Sequence, residues 1–396
     1  MRGVLKRTAA AVALILTVVT AVPALCSCSA LLDALNEIES AVNGLAEVTS
    51  APEEFETSPK PVTTGSPHEQ AAPFSRTPEI PAYRLPEEQF DDDLEKEAAG
   101  IIDAAIEKAV AYVNVMRDAR HSFEAFGFEE DANGFKTGLS ASAAELYGKA
   151  VESALRFERL NVEGDGYAGD LKADYFAVHA PLTYVHPDIA SYFTIDVRST
   201  IDVDGNSHYR LVFDRYFDPE RDGNATERDG FVTLEEIKHR AGLLDRVVKR
   251  VVRLMPEGLS AYDMYYYLAA VLSEKTVYDR RPENCFTAYG ALVTGKAVCE
   301  GYTAAYYLLC REAGLWCAYR DGHPQGQGHT WNMVKLDTGI YNVDVTWCDG
   351  YGKPFEKEWY GCFMKTDADF ENDGHAALAD SPVKGTGTGE PDPYTS

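Results

Sequence analysis

The chain has 396 residues, 45% of them hydrophobic, which is enough for one or two domains with substantial cores. Its 37 Lys and Arg face 63 Asp and Glu, a formal net charge of -26. So acidic a surface argues against nucleic acid or an anionic membrane face as a general partner.

Arg2, Lys6 and Arg7 precede an uncharged apolar run from Thr8 to Leu25, the pattern of a secretory signal over residues 1–27. The run ends in Leu25-Cys26-Ser27-Cys28, which resembles a bacterial lipoprotein signal and implies that Cys28 becomes the lipidated first residue. An ordinary secreted protein and an uncleaved anchor are the other readings. Several acyl chains hold a protein stably where one holds it marginally, so the expected location is the extracytoplasmic face of the cell membrane. Within residues 28–50, Leu31, Leu35, Ile38, Val42 and Leu45 recur at helical spacing and predict a short helix. Residues 51–92 are rich in Pro, Ser, Thr and Glu, a disordered linker that would hold the folded part off the bilayer.

Residues 93–257 read as an α+β accessory region. The stripe Leu94, Ala98, Ile101, Ile102, Ala105, Ala109, Tyr112, Val113 and Met116 predicts a long amphipathic helix. A second helix is expected from Ser142, with Glu145 closing a capping box. Phe193, Ile195 and Val197 alternate with polar residues, as do Tyr209, Leu211 and Phe213. With Asp204-Gly205-Asn206 as the turn, they predict a hairpin. Residues 222–236 tempt a calcium-loop reading, but the first ligand position falls on Ala225, which offers no side-chain oxygen. A polar turn and a helix capped by Thr233, with Ile237, Ala241, Leu244, Val248, Val251 and Met255 on its apolar face, is the simpler account. Another capped helix follows from Ser260 with Asp263, and its tyrosines, Tyr262 and Tyr265 to Tyr267, read as core.

The chemistry concentrates in residues 295–347. Cys299 opens an apolar helical pattern, His329 enters an alternating strand, and Asp344 ends the next one. Nucleophilic acyl chemistry needs such a set. A thiol becomes a thiolate at a positive helix end, an imidazole carries its proton, and a carboxylate fixes the imidazole tautomer. The segments Gly295-Lys296-Ala297-Val298-Cys299-Glu300-Gly301-Tyr302, Gly328-His329-Thr330-Trp331-Asn332 and Val343-Asp344-Val345-Thr346-Trp347 resemble the bacterial transglutaminase-like branch of the papain-type superfamily. Tyr278-Asp279, residues 287–291 and residues 184–188 resemble its lead-in segments. The resemblance covers roughly residues 259–364. It implies an α+β fold with a papain- or transglutaminase-like core, a helix bearing Cys299 packed on an antiparallel sheet bearing His329 and Asp344, over residues 258–379. Residues 380–396 are expected to be a flexible tail.

Strand geometry tests the His and Asp pairing. If 336–339 is a four-residue turn, Lys335 opposes Ile340 and Trp331 opposes Asp344. His329 then lies diagonal to Asp344 on one face, about 7 Å away. A three-residue loop would put them on opposite faces. The Cys299 backbone N–H supplies one oxyanion donor; Tyr289 and Trp331 are candidates for a second donor or a site wall.

Cys285, Cys310, Cys317, Cys348 and Cys362 are left over. A disulfide framework is the default outside the cytoplasm, but these spacings show no repeated pattern, and buried free thiols are the favoured reading. Cys299 and Cys310 on one helix would be about 16 Å apart, beyond the roughly 7 Å limit of a bridge. No C-x-x-C pair occurs, and neither a metal nor another cofactor is expected. The expected protein is a membrane-anchored cysteine enzyme that attacks amide bonds through a thioester, as a peptidase or amidase on protein or cell-wall peptide. The alternatives are a protein-crosslinking transglutaminase and a non-catalytic surface binding module. The sequence sets no oligomeric state.

Overall fold

Alanines and branched apolar residues along one side of the first segment give helix α1 (Asp93–Met116), which buries Ala98, Ile102, Ile106, Ala109 and Val113. It begins the part of this computed structural model that is described: residues 93–116, 123–136, 138–201, 207–215, 234–324, 327–379, 381, 383–389 and 391. The expected signal, the Cys28 anchor, the short helix and the linker lie outside these residues. Among the described residues no helix is long and apolar enough to cross a membrane.

Helix α2 (Ala141–Leu155) starts earlier than expected. Ser140, not Ser142, is its cap, because the Ser140 hydroxyl both accepts from Ala143 N at 3.0 Å and donates to Asp174 Oδ1 at 3.0 Å. Glu145 pairs with Lys149 instead of closing a box. Strand β1 (Leu160–Glu163), helices α3 (Leu171–Tyr184) and α4 (Pro187–Ala190), and strands β2 (Phe193–Ile201) and β3 (Ser207–Arg215) follow. The expected hairpin is present as an antiparallel β2/β3 pair with Val197 opposite Leu211, and β1 adds to the far side of β3. Its turn at 204–206, the calcium-loop segment at 222–233 and the Thr233 cap lie outside the described residues. Leu146, Ala150, Val178, Leu182, Phe193, Leu211 and Ile237 form a core shared by these elements.

Helices α5 (Leu234–Arg253) and α6 (Ala261–Lys275) lead to a two-residue parallel pair, β4 (Val277–Tyr278) and β5 (Lys296–Ala297). Helix α7 (Cys299–Glu312) comes next, then strands β6 (Cys317–Gly322), β7 (His329–Leu336) and β8 (Gly339–Val343), antiparallel in that order. Helices α8 (Val345–Tyr351) and α9 (Asp367–Asp373) complete the domain. Ser260 and Asp263 cap α6 reciprocally, as its sequence predicts. Tyr265, Tyr266 and Tyr267 are fully buried, and their hydroxyls donate to the carbonyls of Trp316, Pro354 and Val251. Three phenols can be buried together because each polar tip has a partner.

The expected boundary at 257/258 is not a packing boundary. Ile102, Ile106 and Val113 of α1 and Leu244, Val247 and Val251 of α5 share one continuous core with α6, α7 and the β6–β8 sheet. Arg250, only 2% exposed, grips Asp103 of α1 with Nε at 2.6 Å and Nη2 at 2.9 Å, a two-pronged pair whose disruption would strand a buried charge. The tail also departs from expectation. Val383 packs on Trp316, Ala318 and Met333, and Thr386 and Gly387 donate backbone N–H groups to Ile340 O, lining the free edge of β8. An unpaired strand edge offers such bonds, and this segment takes them.

Candidate active site

Cys299 is the first residue of α7, after Val298 in extended backbone at φ -100° and ψ 179°. No side chain caps this helix start, so its positive end and the Cys299 N–H face the sulfur's surroundings. The six described cysteines are free thiols; Cys299 is partly exposed, whereas Cys285, Cys310, Cys317, Cys348 and Cys362 are buried. Burial pushes the Cys285 thiol up to about 12, and those of Cys310, Cys348 and Cys362 well above their ordinary value.

The motif residues around Cys299 have steric and hydrogen-bonding reasons. A Cβ at Gly301 would stand 2.5 Å from the Cys285 carbonyl oxygen and 3.0 Å from that of Thr287, so only glycine lets the 285–287 segment cross the helix start. Thr303 Oγ1 lies 2.8 Å from Cys299 O and 3.0 Å from Thr330 O, and Asn332 Nδ2 donates to Thr303 O at 3.2 Å. These contacts lock the cysteine helix to the histidine strand.

His329 opens β7, where it pairs with Gly322, and Lys335 faces Ile340 across the turn into β8. That is the register in which His329 and Asp344 share a face. Asp344 follows β8 as the N-cap of α8, so Val345 to Trp347 are helical rather than strand. Its Oδ1 accepts from Trp347 N at 3.2 Å, and its own N–H donates to Cys362 O at 2.9 Å. Asp344 Oδ2 sits 2.6 Å from His329 Nε2. The Cys299 sulfur is close enough to the His329 ring to favour its protonated form. With Nε2 taken by the carboxylate, Nδ1 is the nitrogen left for sulfur. The ring lies between two indoles, Trp331 at 5.8 Å and Trp347 at 5.6 Å between centroids, each tilted by about 30°.

Burial alone would lower the His329 imidazole. The Asp344 carboxylate and its hydrogen bond outweigh that, and together with the Cys299 sulfur they raise the group to about 10. Burial opposes ionisation of Asp344, but the His329 imidazolium and hydrogen bonds from His329 and His375 hold it well below the usual carboxylate range. A protonated imidazole on a charged carboxylate therefore stands beside the Cys299 sulfur. Arg280, whose Nε donates to the Tyr278 hydroxyl at 3.2 Å, is close enough to Cys299 for their charges to interact.

The two wall candidates part company. Trp331 lies under His329, 1% exposed, its Nε1 donating to Asn342 Oδ1 at 2.9 Å. Tyr289 does not reach the site: it is buried against α5, with the Arg240 guanidinium 5.6 Å over its ring and Ala241 and Leu244 beside it. It precedes a turn of π-helix at 290–294, which turns its ring toward α5.

His375 escapes a reading of the sequence. It is 0% exposed, with Nε2 3.1 Å from Asp344 Oδ2 and Nδ1 against Asp373 Oδ1. No motif announces it; the only sequence cue is an Asp-Gly-His run closing a capped helix. Ligand-type atoms of His329, Asp344 and His375, and of Cys362, Asp373 and His375, each lie within 4.8 Å of one another. In both sets the histidine and carboxylate atoms already meet as direct hydrogen-bond partners, which accounts for the closeness without an ion.

A helix carrying a cysteine against an antiparallel sheet that presents histidine, with aspartate at the sheet's end, defines a papain- or transglutaminase-like α+β domain. Residues 249–348 match the Transglutaminase-like superfamily. Kyphoscoliosis peptidase of Mus musculus and that of Homo sapiens are each 30% identical to this chain over 82 residues, 18% of this chain and 12% of theirs. The chain thus spans about an eighth of the length of these curated relatives. A crystal structure of a candidate cysteine protease from Cytophaga hutchinsonii aligns at 14% identity with a TM-score of 0.24, covering 39% of this chain and 64% of that one.

Proposed function

We propose that the protein is a cysteine-dependent amide hydrolase, a peptidase or amidase acting on protein or cell-wall peptide and tethered through Cys28 at the extracytoplasmic membrane face. The observation that carries the reading is Cys299 at a helix start beside a His329 that is hydrogen-bonded to Asp344. The peptidase name of the curated relatives agrees with it. The Cys299 thiolate attacks the amide carbon, and the oxyanion accepts a hydrogen bond from the Cys299 N–H. The His329 imidazolium gives its proton to the departing amine as the C–N bond breaks, leaving a thioester. Neutral His329 then takes a proton from water, which attacks the thioester; the acid departs, and the thiolate–imidazolium pair returns.

Water wins over an amine unless the amine has its own site, because water is the solvent. Incubation with casein or wall peptides, and separately with a glutamine-containing protein and a fluorescent primary amine, tests the reading. Cleavage lost in Cys299→Ala supports it; amine incorporation without cleavage replaces hydrolase with transglutaminase. Absence of both, with an unreactive Cys299, replaces the enzyme with a binding module.

A further inference from the structure

The carboxylate behind His329 has a second histidine behind it. Asp344 is 1% exposed, and a buried carboxylate stays charged only if donors surround it. Trp347 N serves Oδ1, while His329 Nε2 and His375 Nε2 converge on Oδ2 at 2.6 and 3.1 Å. Since Asp344 accepts from His375 Nε2 and Asp373 stands at Nδ1, the ring is gripped at both nitrogens by two carboxyl groups.

The chain around His375 is built to keep it there. The ring stacks on Phe370 at 3.7 Å and lies 4.2 Å from Trp347. His375 N donates to Phe370 O, His323 N to Ala376 O and Leu378 N to Asp321 O, stitching the segment to the end of β6. A Cβ at Gly322 would meet His375 O and Ala376 O at 2.7 and 2.8 Å, so glycine permits that approach. Ala376 holds φ 45°, a left-handed conformation that strains a non-glycine residue. Simple packing does not require a histidine with both nitrogens engaged at a strained corner.

We propose that His375, clamped by Asp373, is a positioning residue that holds Asp344 Oδ2 toward His329, extending the set to Cys299, His329, Asp344, His375 and Asp373. The inference rests on the cysteine-enzyme reading. Without the His375 donor, an oxygen of the buried carboxylate loses a partner, the carboxyl turns or takes up a proton, and the imidazolium loses part of its counter-charge.

The test needs no substrate: the rate at which iodoacetamide alkylates Cys299 at neutral pH reports the thiolate–imidazolium pair. His375→Leu is expected to slow it about tenfold, as loss of an orienting partner does elsewhere, and His375→Gln, which keeps one donor, to restore most of the rate. Asp373→Asn, a surface change that spares the core, is expected to give an intermediate loss. In an Asp344→Asn background, His375→Leu is expected to change the rate by less than about twofold, because its effect passes through Asp344. Equal slowing in both backgrounds, or a His375→Leu variant that folds and reacts like wild type, overturns the clamp while leaving the Cys299 reading in place. If His375→Leu does not fold, an unchanged rate in Asp373→Asn overturns it. A wild-type Cys299 that does not react overturns both.

Discussion

Lys335 faces Ile340 across the turn between β7 and β8, and this single register places His329 and Asp344 on one face of the sheet. A strand's side chains alternate, so a slip of one residue would send the imidazole and the carboxylate to opposite sides. The turn is thus part of the candidate site, although neither Asp337 nor Thr338 touches it.

Asp344→Asn should leave the chain folded, since an amide can still cap α8, but amide cleavage should fall by about three to four orders of magnitude through the wrong imidazole tautomer. Parallel melting curves and turnover assays measure both. Near-wild-type turnover would remove Asp344 from the reaction.

The pH dependence follows from His329 and Asp344. His329 keeps its proton to about 10 against an ordinary 6.5, so its stabilising contribution is complete below 6.5 and fades as pH rises through 10. Asp344 is held low, so its contribution is present above the ordinary carboxylate range and is lost on acidification below it. Cleavage, which needs the imidazolium to protonate the departing amine, should decline above about pH 10, while alkylation of the thiolate persists. Titrating both activities from pH 5 to 11, with melting temperature alongside, separates the two effects.

Arg280→Gln should slow Cys299 alkylation about three- to tenfold at low ionic strength, and less in high salt, because a partly exposed cation acts on the thiolate through a screened field. A rate unaffected by the change would mean that the helix end and His329 account for the thiolate alone.

Residues 258–379 expressed alone should not fold. Without α1 and α5, the core faces that Ile102, Ile106, Val113, Leu244, Val247 and Val251 cover would lie open to water, and at about 1.5–3 kcal/mol per large apolar side chain left exposed a handful would cancel the stability of a typical domain. A cooperative thermal transition in that fragment would restore the boundary at 257/258.

The nearer two interacting residues are in sequence, the better the sequence announced them. Cys299 at a helix start and the β7–β8 register follow from periodicity and one turn, and the Ser260 cap from four residues. What escaped depends on tertiary contact. The Ser140 start is chosen by Asp174, the Tyr289 ring by a π-helical turn and Arg240, and the course of 383–389 by the open edge of β8. His375 meets Asp344 only because Gly322 lets a later segment lie on β6. Helix α1 predicts its own apolar stripe, but not that α6 and the cysteine domain cover it.

The proposed function requires Cys299 to be a nucleophile activated by its helix end and by His329. Brief alkylation of the folded protein with iodoacetamide at a series of pH values, read by peptide mass spectrometry, tests it most directly. Cys299 is expected to be modified first, and His329→Ala to abolish this advantage. Modification of Cys285 or Cys310 ahead of Cys299, or a Cys299 that reacts no faster than a free thiol, would contradict it.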